Sequence, residues 1–145
     1  MLLSKRDALT LVIGFIYTIV FLHMNLEPYY ERTELELTRA AQALTVENDG
    51  MARACSRRAV GAMVEAWMTI EPDPRYGGHT MSALRGLVAD ERSPEKVQHA
   101  ANRLLHGIRD KDSEDFPNAP IEDAKTIIEY VQKRIWVITS TTPLG

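Results

Sequence analysis

Residues 8–26 read ALTLVIGFIYTIVFLHMNL, and no Asp, Glu, Lys or Arg interrupts the chain between Asp7 and Glu27. At 1.5 Å of rise per residue, a helix of that length spans roughly 28 Å, close to the hydrocarbon thickness of a bilayer. The chain beyond it is polar, charged and patterned at helical spacing. This stretch therefore divides the sequence. We expect a short basic N-terminus (1–7), a transmembrane anchor (8–26), a helical domain that opens on a stalk-like helix (27–138, the stalk being 28–48) and an irregular tail (139–145).

Two other readings of the stretch fit less well. A cleaved signal peptide would use Lys5 and Arg6 as its basic region and end on a small-x-small cleavage site. Residues 23–28 are His-Met-Asn-Leu-Glu-Pro and offer no such pair. A core helix would need apolar surroundings on every side, which a domain of this size rarely provides. Lys5 and Arg6 lie directly before the span, whereas Arg32 and Arg39 follow later among Glu27, Glu31, Glu34 and Glu36. The positive-inside rule then places the N-terminus in the cytoplasm and the body on the opposite, extracytoplasmic side. Within the span, Thr10, Gly14 and Thr18 recur every fourth residue and share a face. Small residues at that spacing let a partner's membrane helix approach closely.

Composition narrows the functional classes. The 145 residues are 45% hydrophobic and 26% charged, ordinary for a folded domain plus an anchor. The net charge is −3, and the charged residues of the first 24 are Lys5, Arg6 and Asp7, so the body alone is more acidic still. Nucleic acid is not an expected partner, because phosphate binding needs a concentrated basic face. Cys55 is the only cysteine, which excludes an internal disulfide and a cysteine-based zinc or iron–sulfur site.

The body reads as four or five helices, giving an all-α fold. Pro28 suits the first turn of the stalk, where Tyr30, Leu37 and Leu44 form a narrow stripe that Asn48-Asp49-Gly50 ends. In residues 51–70, Ala52, Cys55, Ala59, Met63, Ala66 and Ile70 keep helical spacing, and Glu71-Pro72-Asp73-Pro74 stops the helix. Thr80 or Ser82 caps a short helix through Leu84 and Leu87. Ser93-Pro94 starts the next, with Val97, Ala101, Leu104 and Ile108 on one face. The last helix begins at Pro120, and Ile121, Ala124, Ile128, Val131, Ile135 and Ile138 form an unbroken seam along it.

The candidate chemistry is sparse. Asp110, Asp112 and Glu114 occupy positions one, three and five of a calcium-loop pattern. Asp115 stands where that pattern needs Gly and Ile121 where it needs a bidentate Glu, so a solvated acidic loop is the expectation. His99 and His106 lie two turns apart, roughly 10 Å along a helix axis, too far to share a metal; His23 and His79 stand alone. We expect no cofactor. Arg53, Arg57, Arg58 and Trp67 are a possible surface for interaction. Membrane-tethered phage lysozymes carry a Glu, an Asp and a Thr in order after their anchor. Glu65, Asp73 and Thr80 stand in that order, but each gap departs from that pattern by one residue and nothing else matches, so no resemblance is drawn. Two carboxylates could still serve as acid and base at a glycosidic bond.

The expectation is a non-catalytic, single-pass accessory subunit of a larger membrane complex. Its partners would be the lipid bilayer and other membrane protein subunits. The second expectation is a membrane-tethered sensor whose bundle binds a ligand or metal. The third is an anchored cell-wall hydrolase using Glu65 and Asp73.

Overall fold

The computed structural model describes residues 4–106 and 118–141, the side chains of 22–24 aside. Among them are five α-helices: α1 (Lys5–Thr45), α2 (Asp49–Ile70), α3 (Thr80–Ala89), α4 (Glu95–Leu105) and α5 (Pro120–Thr141). A 3-10 turn (Pro74–Tyr76) joins α2 to α3. The acidic loop 110–115 and Ile108 lie outside the described residues.

The apolar stretch and the expected stalk are one helix. Pro28 lies inside α1 rather than in its first turn, so the apolar stretch runs on into the stalk without a break. Proline withholds one helical hydrogen bond. The turns on either side hold the helix together by packing: Leu26 is 2% exposed, and Tyr29 and Tyr30 lie half-buried against the core. Of the expected Tyr30–Leu37–Leu44 stripe, Tyr30 and Leu37 pack against the core and Leu44 is exposed, while the fully inward positions of α1 are Leu26, Thr33, Glu36, Ala40 and Ala43. Two of those positions are polar, and each brings its own partner. Thr33 Oγ donates to the Tyr29 carbonyl at 2.9 Å, and Glu36 accepts from Arg58 and Arg39 at 3.1 Å each.

The turn into α2 is tight. Glu47 adopts φ +54°, the left-handed conformation normally given to glycine. The N–H of Asn48 then reaches the Ala43 carbonyl at 2.8 Å and that of Glu47 the Leu44 carbonyl at 3.1 Å, a Schellman closure. The Asn48 side chain accepts from Met51 N at 3.0 Å and caps α2, so Asp49 and Gly50 are helical rather than terminating.

Helix α2 is central. It packs on α1, α3 and α5, and Ala52, Cys55, Ala59, Met63 and Ala66 are all buried, as the spacing predicts. It runs back along α1: Glu36 pairs with Arg58 and Arg32 with Glu65. Its C-terminus therefore lies near Leu26, where the apolar half of α1 leaves the bundle; this is the near end. Helix α4 runs to the far end and α5 returns, tied together by Arg103 and Asp123 at 2.8 Å. Ile121, Ala124, Ile128, Val131 and Ile135 of the α5 seam are buried, and so are Val97, Ala101 and Leu104 of α4. Helix α5 continues to Thr141, so residues 139–141 are helical and Thr139 is buried, against the expected irregular tail.

Candidate functional site

The apolar half of α1 stands clear of the bundle. Leu9, Val12, Ile16, Tyr17 and Phe21 are all exposed, and this helix is long and apolar enough to cross a membrane. Thr10, Gly14 and Thr18 share one face. A side chain built on Gly14 meets nothing within 4 Å, so that face is open among the described residues. The threonine hydroxyls are already used within the helix: Thr10 donates to the Arg6 carbonyl and Thr18 to that of Gly14, both at 2.9 Å. What the face offers a neighbour is therefore close approach, since its hydroxyls need no partner across the contact.

The four residues expected at a surface divide sharply. Trp67 is fully buried and no surface residue. Its ring packs on Tyr76 at 4.9 Å and, edge-on, on Tyr130 at 6.3 Å, with the Arg92 guanidinium 6.0 Å from its centroid. Arg53 is also buried, and with Arg57 it closes the C-terminus of α4. Arg53 donates to the carbonyls of Arg103 (2.7 Å) and His106 (3.2 Å), and Arg57 to those of Leu104 (2.6 Å) and His106 (2.9 Å). Cations belong there, because the last carbonyls of a helix lack intrahelical donors and carry its negative dipole end. Burial, and then the charge of Arg53, push the Arg57 pKa down. Arg58 is the exposed one of the three; it holds Glu36 and donates to Cys55 Sγ at 3.2 Å.

An open cleft of about 200 Å³ lies where α1, α2 and the start of α3 meet, lined by Arg32, Glu36, Arg58, Gly61, Glu65 and Thr80. Gly61 makes it possible, since a Cβ there would stand 2.5 Å from Thr80 Oγ1. Glu65 and Thr80 are thus brought together, but Asp73 belongs to a different constellation. Glu65 is ion-paired with Arg32, whereas the Asp73 carboxylate takes Arg75 at 2.7 Å and Arg92 at 3.5 Å. Those hydrogen bonds, from Arg75 first, hold Asp73 below the usual carboxylate range. A glycosidic general acid needs the opposite shift.

That constellation closes the near end of the bundle. Asp90 is fully buried: Tyr76 OH donates to it at 2.6 Å, and Arg92 grips it through its backbone N–H at 3.0 Å and its guanidinium at 2.9 Å. Arg92 also reaches Glu71 at 2.9 Å, and Arg134 of α5 binds the same carboxylate at 3.1 Å. Burial raises the Asp90 pKa, but the hydrogen bonds from Arg92 and Tyr76 outweigh it and hold the carboxyl far below its ordinary value. Three carboxylates thus meet three guanidiniums in a balanced cluster. The sequence carries a signal for it: Asp73-Pro-Arg75 and Asp90-Glu-Arg92 repeat one Asp-x-Arg pattern, in which the aspartate accepts from the backbone N–H two residues on. Gly86 completes the arrangement by letting the Tyr76 ring lie 2.8 Å from where a Cβ would be.

The histidines whose side chains are described, His79, His99 and His106, stay apart. His79 caps α3 through its side chain, accepting from Ser82 N at 3.4 Å in place of the expected Thr80 or Ser82. His99 is exposed and lies 3.7 Å from Glu95, and His106 Nδ1 lies 2.6 Å from the Asn102 carbonyl. No group of His, Cys, Asp and Glu suited to a metal occurs among the described residues. Comparison with family models, with curated proteins and with solved structures finds no match to this chain.

Proposed function

We propose that this protein is a single-pass membrane subunit whose helical body braces partner proteins at the membrane surface, with its anchor docked on a partner helix through Thr10, Gly14 and Thr18. One observation carries the reading: the exposed apolar half of α1 and the helix that lines the core of the body are a single element, Lys5–Thr45. A partner gripping the anchor therefore grips the bundle, with no linker between them. In this reading the buried charges of the body serve packing. Arg53 and Arg57 cap α4, and Asp90 and Glu71 lock the near end.

The test is recovery of the native complex from detergent-solubilised membranes. Gly14→Ile places a branched side chain on the open face, so co-purifying subunits should be lost while the melting temperature of the body stays unchanged. A complex recovered in full from the Gly14→Ile protein would overturn the docking face. Purification of the wild type as a detergent-solubilised monomer, with nothing bound, would overturn the subunit reading.

A second reading, a tethered sensor, draws on the open cleft beside Arg32, Arg58 and Glu65. A ligand-dependent rise in melting temperature that Gly61→Ala abolishes, by crowding Thr80, would favour it.

A further inference from the structure

Among the described residues beyond 26, exposed large apolar side chains fall in two groups along the bundle's length, with Leu35 standing alone on α1 between them. Leu44, Val46 and Met51 surround the far turn, and Trp136 and Val137 stand side by side on α5 at the near end, 58% and 50% exposed. The level of that pair follows from two helices measured from one point. Ala40, Ile121 and Cys55 pack together in the far half. Leu26 lies fourteen residues back from Ala40 along α1, and Ile135 fourteen residues on from Ile121 along α5. Each distance is about 21 Å at helical rise. Leu26 and Ile135 are correspondingly both buried in the main core. Trp136 and Val137 therefore come level with residues 24–25, inside the charge-free stretch that ends at Leu26. Thr139 is buried beyond them, so this last turn is packed on the bundle while the pair faces outward.

Resting on the reading of α1 as a membrane anchor, we infer that the last turn of α5 sits in the lipid headgroup layer, with Trp136 and Val137 as its lipid-facing side chains. Indole suits that depth, because its ring prefers the apolar boundary while its N–H prefers polar groups. The balanced cluster of Glu71, Asp73, Asp90, Arg75, Arg92 and Arg134 lies at the same end and presents no net charge to the headgroups. The bundle is then held to the membrane at two points, the span and the end of α5, which fixes its orientation about the anchor.

The full-length protein, reconstituted in phosphatidylcholine vesicles, tests this by its own fluorescence. Trp67 and Trp136 are the two tryptophans, and Trp67 is sealed in the core. Lipids brominated high in their acyl chains should quench wild-type emission, and the quenching should disappear in Trp136→Phe. Flotation of the same vesicles reports the anchor separately. A protein that floats while Trp136 escapes the bromines overturns the inference and leaves the anchor standing. Acrylamide then tells whether water or a second protein copy covers the residue. A protein that does not float overturns both.

Discussion

Asp90 concentrates the electrostatics of the body in one buried carboxylate. Its folded-state pKa is depressed, because the hydrogen bonds from Arg92 and Tyr76 exceed the cost of burial. A depressed carboxylate contributes stability that is complete above its unfolded pKa and is lost as the pH falls towards the folded one. Glu71 and Glu36 shift the same way: burial raises each, and arginine hydrogen bonds outweigh it. Stability should thus fall progressively below about pH 5. Asp90→Asn keeps the shape but replaces a buried carboxylate that accepts from Tyr76 and Arg92 by a neutral amide, Arg92 keeping Glu71 and Asp73, and should cost about 1–3 kcal/mol at neutral pH. Urea midpoints across pH check both points. The variant should show a shallower acid loss than wild type, and equal slopes would remove Asp90 from the account.

At the scale of elements, the helical period exposed most of the architecture. The seam from Ile121 to Ile135 and the small-residue side of α2 are buried where the spacing places them. The body half of α1 was hidden because its core positions include Thr33 and Glu36, whose further contacts to Ala59 and Arg58 of α2 cannot be seen in a local pattern. Trp67 was hidden likewise, since its cover of Tyr76 and Tyr130 arrives from two other elements. Of the candidate site, the open Thr10–Gly14–Thr18 face follows from spacing alone, whereas the use of Arg53 and Arg57 as helix caps needs a fold. That use is testable. Arg53→Met keeps the buried stem and removes the donors to Arg103 and His106, so it should cost about 1–3 kcal/mol. Amide exchange should rise in α4 first. A variant with unchanged stability and lost partner binding would return Arg53 to a surface role.

For the molecule as a whole, the division between the apolar segment and the body is not where charge places it. The charge-free stretch runs to Leu26, yet Leu26 is a core residue, 2% exposed, while Phe21 five residues earlier is 66% exposed. The two domains implied by hydropathy therefore overlap by at least one helical residue, and α1 serves both. Large-to-small changes separate the two roles. Leu26→Ala removes a packed side chain and should lower the stability of the body by about 2–4 kcal/mol. Phe21→Ala removes a side chain that the body does not cover, and its effect should stay within about 0.5 kcal/mol. Urea unfolding of the full-length protein in one detergent, followed by far-ultraviolet circular dichroism, compares them directly. If Leu26→Ala behaved like Phe21→Ala, the bundle would be independent of the helix that carries it. A flexible tether would then replace the continuous α1 as the link between the apolar segment and the body.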